Sequence, residues 1–240
     1  MEFHPEKCEV IRITRNRRNV INRDYYLHGH KLNIVDKTKY LGVSITNDLR
    51  WNHHIDTITN KANGCLSFLR RNLKIPSPRI KSNAYLTLVR PHLEYASAVW
   101  DPYTAKNITK IDAVQRRAAR WVLSKHRRGP DTTPVSAMIN HLTWPSLSTR
   151  RRTNRLSMLY KMINGLVNVK LPKHLQPPSH RHNTRYRSNH TITIPDSTAS
   201  YHLNSFFPRT VREWNNLPSS IVTSPTLDVF KNKLSKFNTI

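Results

Sequence analysis

The side chains best suited to chemistry in this 240-residue chain are its cations, and that chemistry is contact with phosphate groups. Lysine and arginine number 40 against 14 acidic residues, which gives a formal net charge of +26. A charge of this size destabilises a compact fold by self-repulsion unless a polyanion neutralises it. Nucleic acid does so efficiently, because bound lysine and arginine displace its counterions. We therefore expect a nucleic-acid partner; a membrane surface or a heparin-like polymer is a less economical alternative.

The cations cluster on segments with helical periodicity. Arg116, Arg117 and Arg120 share one helix face, and such a face could follow a phosphate backbone without reading base sequence. Between residues 113 and 195 the only acid is Asp131, whereas a solvated helix face usually mixes both signs of charge. Nucleic-acid contact is therefore favoured over a merely solvated face. The predicted nucleic-acid-binding residues are Lys61, Arg70, Arg71, Lys74, Arg116, Arg117, Arg120, Arg127 and Arg128.

The remaining polar side chains form no complete catalytic or metal site. The acids are scattered, without the adjacent aspartates that could hold magnesium ions for two-metal chemistry. No phosphate-binding loop or nucleophile elbow is present. The paired histidines at 53–54 and the group at 180–182 have no cysteine nearby, which favours surface histidines over a zinc site. Cys65 falls on a predicted core stripe, where packing is favoured over nucleophilic catalysis.

The elements that carry these residues are predicted to be mostly helical. The first 48 residues read as a small antiparallel β segment, with a hairpin turning at Gly29 and a strand over 39–45. An amphipathic helix then runs from about Trp51 to Pro76, and a second helix, nearly apolar all round and expected to be buried, begins at Pro78. A third helix starts near Thr104. The predicted fold class is α+β, mostly α.

The composition divides the chain into five predicted regions. They are the β segment 1–48, a helical domain 49–128, a second helical region 129–171, a basic linker 172–204 that is the best candidate for disorder, and a helical segment 205–240. The linker is rich in proline, histidine, asparagine, arginine and serine, a composition that buries little apolar surface.

The cysteines and the first residues indicate the cellular compartment of the protein. Cys8 and Cys65 cannot build a disulfide framework and suit a reducing compartment. Residues 1–5 do not resemble a secretory leader, and no apolar run approaches the roughly 20 residues of a membrane helix. We therefore expect a protein of the cytoplasm or nucleus that is not secreted and has no membrane partner.

Several segments, in order and spacing, resemble the reverse transcriptases of non-LTR retrotransposons, with the jockey and CR1-like group most similar. The resemblance covers nearly the whole chain. It is carried by residues 3–10 (FHPEKCEV), 39–45 (KYLGVSI), 51–55 (WNHHI), 91–100 (PHLEYASAVW), 111–120 (IDAVQRRAAR) and 206–218 (FFPRTVREWNNLP).

The resemblance implies roles for these segments. Residues 1–48 are similar to the end of the polymerase palm, with Lys7 near the incoming nucleotide, although from the residues alone Lys7 reads as a solvated strand-edge charge. Lys39, Tyr40, Leu41 and Gly42 resemble the primer grip, the hairpin that holds the 3′ end of the primer. Residues 49–128 are similar to the thumb, which contacts the template–primer duplex. The implied partners are RNA, RNA–DNA or DNA duplex, and the remaining polymerase portion.

The catalytic part of the family pattern is absent. The fingers, most of the palm and the metal-binding aspartates have no counterpart in these residues, so the Mg²⁺ of the parent polymerase has no ligands and no cofactor is expected in this chain. We expect a C-terminal fragment of an RNA-directed DNA polymerase that binds nucleic acid and is inactive alone. The alternative is a non-enzymatic remnant or a protein-interaction module that packs against a missing partner.

Overall fold

The computed structural model describes residues 3–14, 22–125, 133–169, 171–172, 175, 191–194, 196 and 198–237. These residues are mostly helical with a few short strands, which confirms the predicted α+β, mostly α class. The chain divides into two compact units. The first contains Met1–Leu93 and Thr104–Val122, and the second contains Glu94–Tyr103 and Leu123–Ile240.

The described β structure of the first unit consists of three two-stranded pairs. The strands are β1 (Glu9–Ile11), β2 (Tyr26–Leu27), β3 (His30–Lys31), β4 (Asn33–Val35), β5 (Lys37–Tyr40) and β6 (Val43–Thr46). Pairs β2–β3 and β5–β6 are antiparallel, as expected, but β1 and β4 are parallel. The antiparallel pairing expected for these two strands is therefore not found. The β2–β3 hairpin lies between them in sequence and reverses the chain, so that β4 runs in the same direction as β1.

Two tight turns connect the antiparallel pairs. Gly29 has a φ of 80°, as predicted, and lies next to His28 at the tip of β2–β3. The uninterrupted strand expected over 39–45 is wrong, because Leu41 and Gly42 have φ values of 44° and 84° and form a turn between β5 and β6. Two successive residues with positive φ are typical of a type I′ hairpin. Alternating apolar residues concealed this turn, since leucine occupies a position where asparagine is usual.

Four helical segments complete the first unit: α1 (Asn52–Asn72), α2 (Pro78–Ala84) with a π-helical turn (Tyr85–Val89), α3 (Arg90–Glu94, which extends to the unit boundary) and α5 (Ala105–Val122). Helix α1 buries the predicted stripe at Ile55, Ala62, Leu66 and Leu69. Pro78 occupies the first turn of α2, as predicted. Proline suits that position because the first helical N–H groups have no intrahelical acceptor.

The second helix is not buried all round as expected. Ile80 and Leu88 are exposed, whereas Lys81, Tyr85 and Val89 are buried at four-residue spacing. The π-helical turn directly precedes the segment that contains Pro91. The buried positions Lys81, Tyr85 and Val89 each come one residue after Ile80, Ala84 and Leu88, which the sequence marked as buried. Apolar composition could not reveal this, because a lysine occupies one of the buried positions.

The second unit is helical. Its described helices are α4 (Ser97–Trp100), α6 (Val135–His141), α7 (Leu147–Ile163), α8 (Ser200–Leu203), α9 (Phe206–Asn215), α10 (Ser219–Val222) and α11 (Leu227–Phe237). Its core joins Leu156, Tyr160, Trp214 and Phe230, and the Tyr160 and Phe230 rings stack at 4.6 Å. Most of the predicted linker 172–204 lies outside the described residues. Of its described members, Leu175 and Ile192 are buried in this core.

Candidate nucleic-acid interface

Helices α1 and α5 pack side by side in the first unit and point in the same direction. The Asn107 Nδ2 donates to Asn52 Oδ1 at 2.7 Å, Lys110 forms an ion pair with Asp56, and the Arg117 guanidinium donates to Asn63 Oδ1 at 2.8 Å. Residue numbers rise together along both helices, so the helices are parallel. Their C-terminal halves therefore lie at the same end of the pair.

Both C-terminal halves are basic. We define the basic seam as Arg70, Arg71 and Lys74 at the end of α1 together with Arg116, Arg117 and Arg120 on α5. No acid occurs in residues 57–93 or 113–125, so neither half carries an anionic side chain of its own. The parallel packing thus brings six cations from two separate segments, all predicted to bind nucleic acid, to the same end of the helix pair. A surface of this kind attracts phosphate groups.

Two arginines of the seam are held by neighbouring groups. Arg117 is exposed but its Nη1 is anchored on Asn63. Arg116 lies along its own helix, where its Nη2 is 3.4 Å from the Thr109 carbonyl. Neither contact involves an acid, so both guanidinium charges remain uncompensated among the described contacts.

The helix dipole explains why some of the seam cations lie at the C-terminal ends of α1 and α5. Arg70 and Arg71 lie in the last turn of α1, and Arg120 in the last turn of α5. A cation at a helix C-terminus gains about 0.3–1 kcal/mol from the dipole. This effect falls off within one turn, and it therefore does not account for Arg116 and Arg117.

Lys61 lies apart from the basic seam. It is near His92, whose pKa is lowered chiefly by burial and further by the positive charge of Lys61. On the same side of α1, the Cys65 Sγ is 3.6 Å from the Leu88 carbonyl oxygen. The side of α1 that carries Lys61 and Cys65 faces the π-helical turn, whereas Asn63, on the other side, faces α5. Lys61 and Arg70, which were both predicted to bind nucleic acid, therefore lie on different sides of α1.

The residues similar to a primer grip lie at the tip of the β5–β6 hairpin. Tyr40 is 65% exposed and Leu41 is 73% exposed, with Lys39 and Gly42 also at the surface. Tyrosine and leucine side chains of this size are usually buried. The tip therefore presents an apolar and aromatic surface beside the positive charge of Lys39.

A buried histidine connects this hairpin to α1. The backbone N–H of Ser44 on β6 donates to Nδ1 of His54 at 3.2 Å, and the Trp51 ring packs edge-on against the imidazole. Burial is the main cause that lowers the pKa of His54 from 6.5 to about 4, and His53 adds a smaller effect. An acceptor nitrogen must be unprotonated, so the contact requires the neutral imidazole.

The other predicted site residues are not brought to the seam. Lys7 is exposed at the end of a 3-10 turn (Pro5–Lys7), and its side chain makes no hydrogen bond or ion pair within the described part of the chain. The predictions for Arg127 and Arg128 fall outside the described residues.

The arginines of α7 belong to a different environment from the seam. Arg150 pairs with Glu94, Arg151 and Arg155 each donate at 2.7 Å to Asp101, and Arg152 lies 3.2 Å from Glu213. The expectation that the basic tract after residue 120 is a phosphate-binding surface is therefore wrong for α7. Its acidic partners lie outside 113–195 in sequence, and a count of local acids could not reveal them.

Asp101 and Glu213 organise this arginine cluster. The side chains of Arg151 and Arg155 are 1% and 2% exposed, and that of Asp101 is 5% exposed. Arg209 also lies 3.3 Å from Asp101. Burial is the largest influence on Arg209 and lowers its pKa, against the opposing effect of Asp101. Buried guanidinium groups require such partners, because an unpaired buried charge is strongly destabilising.

Comparisons with known proteins give no relative: no family model, curated protein or solved structure matches the chain. Within the described ranges, no group of three or more His, Cys, Asp or Glu side chains is arranged to hold a metal ion. No helix in that part of the chain is both long and apolar enough to cross a membrane.

Proposed function

We propose that the chain binds nucleic-acid duplex through the basic seam of α1 and α5, as part of a non-LTR retrotransposon reverse transcriptase. The observation that carries the proposal is the parallel packing of two helices whose C-terminal halves hold five of the seam cations and no acid, with Lys74 just past the end of α1. Each exposed cation can replace a counterion at a phosphate, which favours binding to any sequence.

The resemblance of residues 49–128 to a polymerase thumb favours duplex over single-stranded nucleic acid as the ligand. Proteins that grip single strands combine a basic groove with aromatic stacking platforms. Phe68 is 57% exposed and lies in the same half of α1 as Arg70 and Arg71. Tyr40 is exposed at the hairpin tip, where the resemblance to a primer grip assigns contact with the end of the primer strand.

Polymerase chemistry is not proposed for this chain on its own. The resemblance assigns catalysis to paired aspartates and Mg²⁺, and the described carboxylates form no group that fits such an ion. Primer extension with magnesium is expected to give no product from this chain alone, and extended primer would overturn that part of the proposal.

A double charge reversal in the seam tests the binding surface. Arg116→Glu with Arg120→Glu should weaken binding of an RNA–DNA duplex to a similar degree for all sequences, because phosphate contacts do not read bases. Filter binding to duplexes of differing sequence measures this effect. The matched control is Lys231→Glu with Lys236→Glu, which makes the same change of net charge on exposed residues of α11. Equal weakening by both variants would contradict a localised interface.

One observation favours a second candidate, a module that binds a protein partner. Among the described residues 3–49, Val43 is the only hydrophobic residue classed as buried, whereas eight large hydrophobic side chains are exposed. These are Phe3, Ile13, Tyr25, Tyr26, Ile34, Tyr40, Leu41 and Leu49. Apolar surface of this extent is typical of interfaces or of aggregation-prone faces.

Dye binding and sizing separate the two candidates. An interaction module without its partner should bind a hydrophobic dye strongly, self-associate and show no salt-dependent affinity for duplex. A monodisperse chain that binds duplex with a steep salt dependence would contradict the second candidate.

A further inference from the structure

We infer that Asn63 is a positioning residue that orients Arg117 toward a bound phosphate backbone. This inference rests on the proposed function of the basic seam. Asn63 itself carries no charge, and its expected effect on binding passes entirely through the guanidinium of Arg117.

The contact between Asn63 and Arg117 is long-range in sequence and well formed. The Arg117 Nη1 donates to Asn63 Oδ1 at 2.8 Å across 54 residues. This is within the normal distance for an N–H···O hydrogen bond. A guanidinium group has five N–H donors, so one bond to Asn63 leaves the others to face solvent or a ligand.

The residue type at position 63 matters because an acidic side chain there would neutralise the charge of Arg117. Two polar contacts closer to the helix N-termini already fix the register of α1 and α5: Asn52 with Asn107 and Asp56 with Lys110. The Asp56–Lys110 contact is an ion pair in which the acid neutralises the lysine. An amide at position 63 instead holds Arg117 and leaves its charge available.

Orientation before binding should increase affinity. Ordering a long, rotamer-rich side chain on binding has an entropic cost. An arginine already held by a neutral acceptor loses less freedom when a phosphate binds. The hydrogen bond of Asn63 therefore reduces this cost without reducing the electrostatic attraction.

Two substitutions at one position separate orientation from charge. Asn63→Ala should weaken duplex binding by about three- to tenfold while the salt dependence of binding stays unchanged, because Arg117 still displaces its counterion. Asn63→Asp should also weaken binding but should reduce the salt slope by about one, because the carboxylate pairs with Arg117. Weaker binding at an unchanged slope in Asn63→Ala is the readout of orientation, because any carboxylate added beside Arg117 would reduce the slope. Asn60→Ala, at an exposed position of the same helix, is the matched control.

A double-mutant cycle with Arg117→Gln completes the test. In that background Asn63→Ala should have no further effect on affinity, because the group that it positions has been removed. Wild-type affinity in Asn63→Ala, or an equal loss with and without Arg117, would overturn the inference. A wild-type chain with no salt-dependent binding would instead show that the proposed function has failed, so the two failures are distinguishable.

Discussion

In the first unit, Leu41 occupies a position that is unfavourable both for its backbone and for its side chain. Leu41 adopts a left-handed backbone conformation, with a φ of 44°, and is almost fully exposed. A leucine gains neither burial nor a favourable backbone there. Strain of this kind is typical of functional sites when the surrounding structure maintains it. The residue pattern alone predicted a strand here, because nothing in its apolar alternation marks the turn, whereas the resemblance to a primer grip implied a hairpin.

Replacement of Leu41 tests whether the strained residue serves binding. Leu41→Asn should raise the free energy of unfolding by about 1 kcal/mol, because asparagine tolerates the left-handed conformation and Asn-Gly favours this turn. If the tip contacts nucleic acid, the same variant should bind duplex more weakly. Urea unfolding and filter binding measure the two effects. Higher stability with unchanged affinity would contradict a binding role for Leu41.

The buried imidazole of His54 predicts a pH-dependent stability. Burial lowers the pKa of His54 to about 4 in the folded protein, against 6.5 for a histidine side chain exposed to water. The folded state therefore prefers the neutral ring, so its contribution to stability is complete above about pH 6.5 and is lost as the pH falls toward 4. Between about pH 7 and pH 5 the loss should reach about 2 kcal/mol. This pairing with Ser44 had no sequence signal, since paired histidines suggested surface positions.

Urea unfolding at the two pH values measures the effect of His54. His54→Gln should lose stability at neutral pH but should show a smaller decrease on acidification than the wild type. His53→Gln, which changes the exposed neighbour, provides the control. A wild type and His54→Gln with identical pH dependence would contradict this account.

At the scale of elements, the sequence predicted helices better than strand pairing. The stripe on α1, the start of α2 at Pro78 and the start of α5 near Thr104 follow from local rules and are confirmed. The parallel β1–β4 pair and the arginine cluster of α7 depend on partners that are distant in sequence. Periodicity contains no information about such partners. From the sequence, the arginines of α7 were therefore identified only as an excess of positive charge.

Substitution of Asp101 tests most directly how the arginine cluster of α7 contributes to stability. Asp101→Asn should lower the free energy of unfolding by about 3–5 kcal/mol, because it removes the carboxylate that buried Arg151 contacts and one of the two that buried Arg155 contacts. Thermal and urea unfolding measure this loss. Asp196→Asn, at an exposed position, should change stability little. A decrease of similar size in both variants would contradict the organising role of Asp101.

For the whole molecule, the net charge indicated a polyanionic partner but not the surface that binds it. The structure separates two populations of arginine: those of α7, which are paired with acids, and those of the basic seam, for which the described contacts show no acidic partner. Every arginine of both populations adds the same single charge to the formal total of +26. Only the fold distinguishes them, because pairing depends on where distant acids are placed.

The salt dependence of duplex binding tests the central claim most directly. If all six seam cations contact phosphates, the logarithm of the association constant should fall with the logarithm of salt concentration with a slope of about −5. The variant with Arg116→Glu and Arg120→Glu should show a slope shallower by about two. A slope near zero in the wild type, or the same slope in both proteins, would contradict binding through the basic seam.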